Sequence, residues 1–366
     1  MSGTIPFKLA HASNPEWQTA LNDCLQQLGE IPAGTRLGFV YVTDHFAADY
    51  ASIHRQLKKQ TGVLHWTGTI GQAICCTGKE YNEQAAMVMM LADFPDDSFY
   101  LVQSPAQLPN PANAGLQFAV VHGDPRNGQM PDLLEQFANK LGHAYLVGGL
   151  TSSGGYYYQL ADEVCEGQLS GVVFSDQVTV VAGLTQGCSP IGPVHTLTEC
   201  EGNYAVSLDQ RPALDVLKED IGEILARDLT RIGGYIFAGF PVSGSDTGDY
   251  MVRNLMGIDP DNGILAIGEY LQTGASIMFC RRDGRTAVQD LERMLSHVKQ
   301  RLTGQPRGGL YFSCLGRGHH MFGQVSREME LIQQQLGDVP LVGFYANGEI
   351  AGHHLYGYTG VLTLFL

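Results

Sequence analysis

Three times along the chain an apolar strand leads into a helical stretch and returns as a second apolar strand that runs into a glycine turn. The first copy reads RLGFVYVTDHFAADYASIHRQLKKQTGVLHWTGTIGQAI, with its helical stretch around Ala47 to Lys59 and its second strand ending near Gly71. The second runs from LQFAVVHGD through PDLLEQFANKLG to AYLVGGLTSSGG, and the third from GGLYFSCLGRG through SREMELIQQQLG to VPLVGFYANGEIAG. A further apolar run closes each copy: AAMVMMLADF, SGVVFS and TGVLTLFL. Self-similarity of this kind predicts a recurring β-α-β-β unit. Two glycines bracket the turn, Gly149 with Gly154 and Gly343 with Gly348, while the first copy has Trp66 in the leading place and Gly71 in the trailing one. Glycine inside a strand marks close approach by another backbone or by a ligand. Each turn alone reads as a tight turn; their recurrence makes them candidate lips of a shared pocket.

Between the second and third copies, short alternating runs bounded by Gly, Asp and Asn read as hairpin strands, and RPALDVLKEDIGEIL has helical spacing with Pro212 placed early. The fold class is therefore α/β (mixed α+β): repeated β-α-β-β units forming packed sheets flanked by helices, in two pseudo-related halves. A chain of 366 residues with 44% hydrophobic content can bury a large core. Its formal charge of -15, with no Lys/Arg-rich run, argues against nucleic acid or an anionic membrane as the main partner. Eight scattered cysteines without a C-x-x-C pair read as reduced thiols. No basic-then-apolar leader and no bilayer-length apolar run is found, so the expectation is a cytoplasmic protein.

Three stretches in order, VTVVAGLTQGCSPIGPVHTLTECEGNYAVSLDQRPALDVL, GLYFSCLGRGHHMFG and VPLVGFYANGEIAG followed by TGVLTLFL, resemble the FIST family. The resemblance implies a FIST N-terminal domain over 30–215 and a FIST C-terminal domain over 216–366. It also implies a small-ligand sensory role in signal transduction, with amino acids the ligand class. Members of the family are joined to kinase, chemoreceptor or cyclic-dinucleotide output modules. This chain has no room for one, so the expectation is a stand-alone receptor acting on a separate signalling protein, such as a kinase or a cyclic-dinucleotide enzyme.

FSCLGRGHHMFG sets Cys314 at the end of an apolar strand and Arg317 three residues on, among Gly316, Gly318 and Gly323. The planar fork of Arg317 suits a ligand carboxylate through two parallel hydrogen bonds; the structural alternative is an ion pair with Glu349 or Glu328. Glu349 is a carboxylate in a segment built for burial, so it either meets Arg317 or receives a ligand's ammonium, unless it lies exposed just past the turn. Cys314, beside a guanidinium in a Gly-rich turn, is a candidate nucleophile or redox thiol, against the plainer reading of a buried structural cysteine. The candidate ligand-binding set is Arg317, Glu349, Tyr345, Asn347, Cys314, Gly343, Gly348 and Ser152. Ser152 stands with Thr151 and Ser153 in a turn whose hydroxyls and N–H groups could cradle an anion, but no P-loop lysine accompanies them. His319–His320 and His353–His354 invite a metal reading, yet adjacent strand residues face opposite ways and no H-x-x-x-H spacing is present. Cys188 and Ser189 lack the G-x-S-x-G elbow. No metal or cofactor is assigned. The leading reading is a non-enzymatic small-ligand receptor; the alternatives are a cysteine-dependent enzyme using Cys314 and a ligand-free interaction scaffold.

Overall fold

Each predicted strand–helix–strand forms, because its two apolar runs are buried on both faces and its helix shows one apolar stripe. The computed structural model describes residues 7–108, 116–142, 144–242 and 248–366; residues 1–6, part of the segment read above for a leader, lie outside it. The first repeat comprises β1 (Lys8–Ser13), α1 (Trp17–Leu28), β2 (Leu37–Thr43), α2 (Tyr50–Thr61), β3 (His65–Gly71), β4 (Ala73–Cys76), β5 (Lys79–Asn82) and β6 (Ala86–Ala92). The second comprises β7 (Phe99–Val102), β8 (Leu116–Gly123), α3 (Met130–Lys140), β9 (Tyr145–Leu150), β10 (Gln159–Ala161), β11 (Glu163–Cys165) and β12 (Leu169–Ser175). The third opens with β13 (Val180–Gln186) and is then interrupted in sequence by β14 (Cys188–Pro190), β15 (His195–Glu201), β16 (Tyr204–Leu208), β17 (Arg211–Pro212), α4 (Ala213–Ala226), β18 (Ile236–Pro241), β19 (Tyr250–Asp259), β20 (Ile264–Ile267) and β21 (Ser276–Arg282). It resumes with α5 (Gly284–Arg301), β22 (Gly308–Cys314), α6 (His319–Phe322), α7 (Arg327–Leu336), β23 (Leu341–Ala346), β24 (Glu349–Ala351), β25 (His354–Tyr356) and β26 (Thr359–Phe365).

Two compact units result, Met1–Thr185 with Val288–Leu366, and Gln186–Ala287. In the first, the repeating unit is larger than β-α-β-β, since a short hairpin separates the returning strand from the closing one. Within each repeat the leading strand pairs parallel with the returning strand and antiparallel with the closing strand (β2 with β3 and β6, β8 with β9 and β12, β22 with β23 and β26). The hairpins cross over in a ring: β4 pairs with β23, β10 with β3, and β24 with β9. Every six-stranded sheet of this unit thus takes two strands from a neighbouring repeat. Equivalent positions of the three leading strands, Tyr41, His122 and Phe312, meet in the middle, with Tyr41 edge-on to the other two rings and stacked on Phe344 at 5.4 Å. Burial pushes the pKa of His122 down to about 3, so the ring at this centre is neutral.

The recurring glycine is the one the sequence spacing suggested in the third copy, Gly343, but not in the other two. Gly68, Gly148 and Gly343 occupy the same register, opposite Val40, Val121 and Tyr311. A Cβ there would lie 1.8, 1.8 and 1.7 Å from the carbonyl oxygens of those partners. Close strand approach therefore requires glycine at the three sites. The alignment through Trp66 and Gly149 was one or two residues out of register.

The second unit is a barrel. β21, β15, β16, β20, β19 and β18 pair antiparallel in that order and β18 pairs back with β21, closing the ring and leaving no open edge. Leu214 and Leu217 of α4 are buried with Leu197, Leu208, Leu265 and Phe279 in its core. Among its described residues every strand pairing is antiparallel and none repeats the parallel pairing around a helix seen in the first unit, so the expectation of two related halves gives way to three related repeats and one unrelated barrel. No helix among the described residues is long and apolar enough to cross a membrane.

Candidate functional site

Polar groups concentrate where β22 and β23 end. Tyr311 and Ser313 lie two residues apart on one face of β22, and both point at Glu328 in the first turn of α7. The unpaired N–H groups of a helix start favour a carboxylate at that place. Glu328 Oε1 accepts from Tyr311 Oη at 2.7 Å and from Arg317 Nε at 2.8 Å; Oε2 accepts from Ser313 Oγ at 3.1 Å and from the Gly318 N–H at 3.2 Å. Arg317 Nη2 is 2.7 Å from the same Oε1 but out of hydrogen-bond alignment, so that contact is Coulombic only. Both side chains have 0% exposure. The Phe322 ring centroid lies 5.2 Å from the guanidinium carbon. Burial works against the Arg317 charge, but Glu328 more than restores it and holds the pKa above its ordinary range.

Of the two partners offered by the sequence, then, Glu328 takes Arg317. Glu349, which opens β24, is also fully buried, which rules out the exposed reading. Its Oε2 accepts from Thr359 N at 3.1 Å and Thr359 Oγ1 at 2.8 Å, while Oε1 has no hydrogen-bond partner. Burial pushes this carboxyl up to about 8, against the Thr359 bonds and the Arg317 charge, which pull it down. A third carboxyl arrives from elsewhere in the chain. Glu80, on the first repeat's hairpin where it crosses to β23, is 3% exposed and pushed up to about 7 by burial and by the Glu328 charge. Tyr345 faces both Glu80 and Glu328. A side chain at Gly318 would meet the Tyr345 ring at 3.1 Å and Glu80 Oε2 at 3.5 Å, which shows how closely loop, ring and carboxyl pack. Three buried carboxyls thus gather here: Glu328 paired with Arg317, Glu349 near the same guanidinium, and Glu80 beside Glu328, the last two with their pKa raised chiefly by desolvation.

Cys314 sits beside this centre, half-buried, its Sγ accepting from the Gly316 N–H at 3.4 Å. Burial, then the Glu349 charge, pushes the thiol up, outweighing the Gly316 and Tyr358 bonds and Arg317. That is the reverse of the environment of an activated thiolate. Iodoacetamide at pH 7 is expected to label Cys314 no faster than free cysteine. A rate roughly tenfold above free cysteine, located by peptide mapping, would restore the nucleophile.

The remaining residues of the predicted set do not gather around Arg317. Asn347 is exposed, and its N–H donates to Leu150 O at 3.0 Å. Ser152 Oγ accepts from Gln72 N at 3.0 Å and donates to Tyr345 O, joining turns of all three repeats. Gly348 O accepts from Leu150 N at 2.9 Å, and Gly343 serves the strand contact described above. These turns are junctions between repeats. The anion cradle of the second repeat already holds an anion of the protein's own: Ser153 Oγ and the Gly154 N–H donate to Asp44. His319 accepts from Asn82 Nδ2 at 2.9 Å. Among the described residues no three His, Cys, Asp or Glu side chains converge as metal ligands. Sequence reasoning missed Glu80, and no local signal marks it; only the crossing hairpin brings it here.

Residues 36–211 match the FIST N domain and residues 213–352 the FIST C domain. Among curated proteins, two uncharacterized proteins of Mycobacterium tuberculosis, from strains CDC 1551 / Oshkosh and ATCC 25618 / H37Rv, are 34% identical over 209 residues, 54% of this chain and 53% of each relative. An uncharacterized protein of Mycobacterium bovis is 32% identical over 149 residues, 40% of this chain and 39% of its own. The chain spans about half the length of the first curated relatives it matches. With the two domain matches together spanning most of its length, the chain belongs to the FIST family of sensory and signalling domains.

Proposed function

We propose that this protein is a small-ligand sensor of signal transduction, that its ligand is an amino acid or related small zwitterion or carboxylate read at the Arg317 centre, and that a separate signalling protein receives the output. Family membership supports the sensory part. One observation carries the site: the Arg317 side chain is fully buried, yet Nη1 and Nη2 have no hydrogen-bond partner. Buried donors without partners are costly, and a free guanidinium edge is what a carboxylate takes with two parallel bonds. The Oε1 atoms of Glu80 and Glu349, also without partners, offer acceptors to an ammonium. Cys314, Leu315 and Gly316, which lead into Arg317, are only half-buried, so access requires movement of a short loop and not of the sheets.

A thermal-shift and calorimetric panel of amino acids and short carboxylates tests this. A ligand of the folded state raises the melting temperature by mass action. Arg317→Lys keeps the charge and removes the fork, and is expected to weaken the hit by about tenfold or more while the protein still melts cooperatively. Silence across the panel, or a hit indifferent to Arg317→Lys, would defeat the assignment.

A further inference from the structure

The barrel unit has its own pocket, of about 330 Å³, lined by Pro190, Ile191, Asp220, Ile221, Leu225, Tyr235, Ile236 and Arg281. That volume lies at the small end of the range for ligand cavities. Its walls come from the segment after β14, the second half of α4, and the starts and ends of the paired strands β18 and β21. Two charged groups of opposite sign, Asp220 and Arg281, line it together with the aliphatic side chains of Ile191, Ile221, Leu225 and Ile236.

Asp220 is held in place. Its side chain is 7% exposed and Oδ2 takes His195 Nε2 at 2.9 Å, while His195 Nδ1 is 2.7 Å from Asp209 Oδ2 and Asp209 Oδ1 accepts from the Thr196 N–H at 2.8 Å. Bonds to two carboxylates overcome the burial of the imidazole and keep His195 charged more readily than usual. The main chain makes room for the carboxylate: a Cβ on Gly192 would lie 2.3 Å from Asp220 Oδ2. The helix itself breaks just past this residue, at Gly222 with φ 76° and ψ 164°, which gives Ile221 and Leu225 separate segments of the wall. Arg281 is less engaged. Its side chain is 47% exposed and its ion-pair contact is with Asp283, at 3.6 Å.

We propose that this pocket binds a small zwitterion with an aliphatic body, its ammonium on Asp220, its carboxylate on Arg281, and its hydrocarbon among Ile191, Ile221, Leu225 and Ile236. An amine without an acid group leaves the Arg281 charge facing it, and an acid without an amine faces Asp220. Larger phosphorylated ligands exceed the volume and meet the carboxylate. His195 acts as a positioning residue, fixing the Asp220 carboxylate from behind. The proposal rests on the sensory reading above but assigns a site in the other compact unit.

Isothermal titration of the full chain with L-leucine, 6-aminohexanoate, 3-methylbutylamine and 4-methylpentanoate tests it, the first two differing in charge separation and the last two each carrying one charge. The expected result is binding of at least one zwitterion, with both single-charge compounds at least tenfold weaker. Asp220→Asn and Arg281→Gln should each weaken the zwitterion tenfold or more, with circular dichroism unchanged. Single-charge compounds that bind as well as the zwitterions, failure of both zwitterions at millimolar concentration, or affinity indifferent to both substitutions would overturn the pocket. Zwitterion binding lost in Arg317→Lys but kept in Asp220→Asn and Arg281→Gln overturns it and leaves the Arg317 assignment standing; the opposite pattern upholds it and defeats the Arg317 assignment.

Discussion

Glu328→Gln is expected to destabilise the repeat unit by about 3–5 kcal/mol, because it removes one half of a buried ion pair and leaves the other half charged. Arg317 and Glu328 both have 0% side-chain exposure, so the stranded guanidinium has no water to turn to. The amide would still accept from Tyr311 and Ser313, which isolates the charge as the thing lost. Both tryptophans, Trp17 and Trp66, lie in the first repeat, so tryptophan fluorescence in urea reports on this unit and not on the barrel. The double substitution Arg317→Met with Glu328→Leu should recover much of the loss, since an apolar pair of similar volume avoids the desolvation cost of both ions. A Glu328→Gln midpoint equal to that of the parent protein would show that the centre is hydrated and would remove the basis for treating its unpartnered donors as buried.

The second large effect is a fall in stability with rising pH, and Glu349→Gln should flatten it. The folded pKa of Glu349 is raised to about 8, and that of Glu80 to about 7, above the ordinary glutamate value of 4.5. Between the unfolded and folded values the native state holds protons that the unfolded chain has released, so stability falls as pH rises through that interval. The contribution of Glu349 is fully present below its unfolded pKa and is lost by the time the pH passes about 8. For a shift of this size the loss is on the order of 5 kcal/mol. Melting temperature measured from pH 5 to 9 should therefore decline in the parent protein and decline less in Glu349→Gln, with the variant the more stable of the two at the alkaline end. Parallel curves for the two proteins would mean that Glu349 ionises freely in the fold, contrary to its burial.

Much of the first unit was legible in the sequence, and the reason is local. Apolar runs of strand length and helical stripes report which faces are buried, and the three strand–helix–strand copies appear where those patterns stand. Glycine register was harder. The sequence shows several glycines near each turn, but only the pairing of Gly68, Gly148 and Gly343 with Val40, Val121 and Tyr311 tells which of them has no space for a Cβ. Of the candidate set, Arg317, Glu349 and Tyr345 stand out in the sequence because a charge or phenol inside an apolar strand or a Gly-rich loop is unusual by type, and the structure buries all three. Asn347 was misplaced, since strand alternation past Ala346 gives no guide once the chain turns.

What the sequence by itself determined is the content of the repeats: three apolar strand–helix–strand units, an acidic chain, and an arginine with candidate carboxylate partners near the third. Which carboxylate neutralises the arginine, and which others crowd it, only the tertiary structure decided. Glu328 reaches Arg317 because α7 begins there, and Glu80 reaches Glu328 and Tyr345 because a hairpin of the first repeat pairs with β23 of the third. The same holds for Asp220 and Arg281, which lie on separate elements of the barrel unit and share a pocket only after the ring of strands closes. Electrostatic energies depend on distance and burial, and neither is a property of position along the chain.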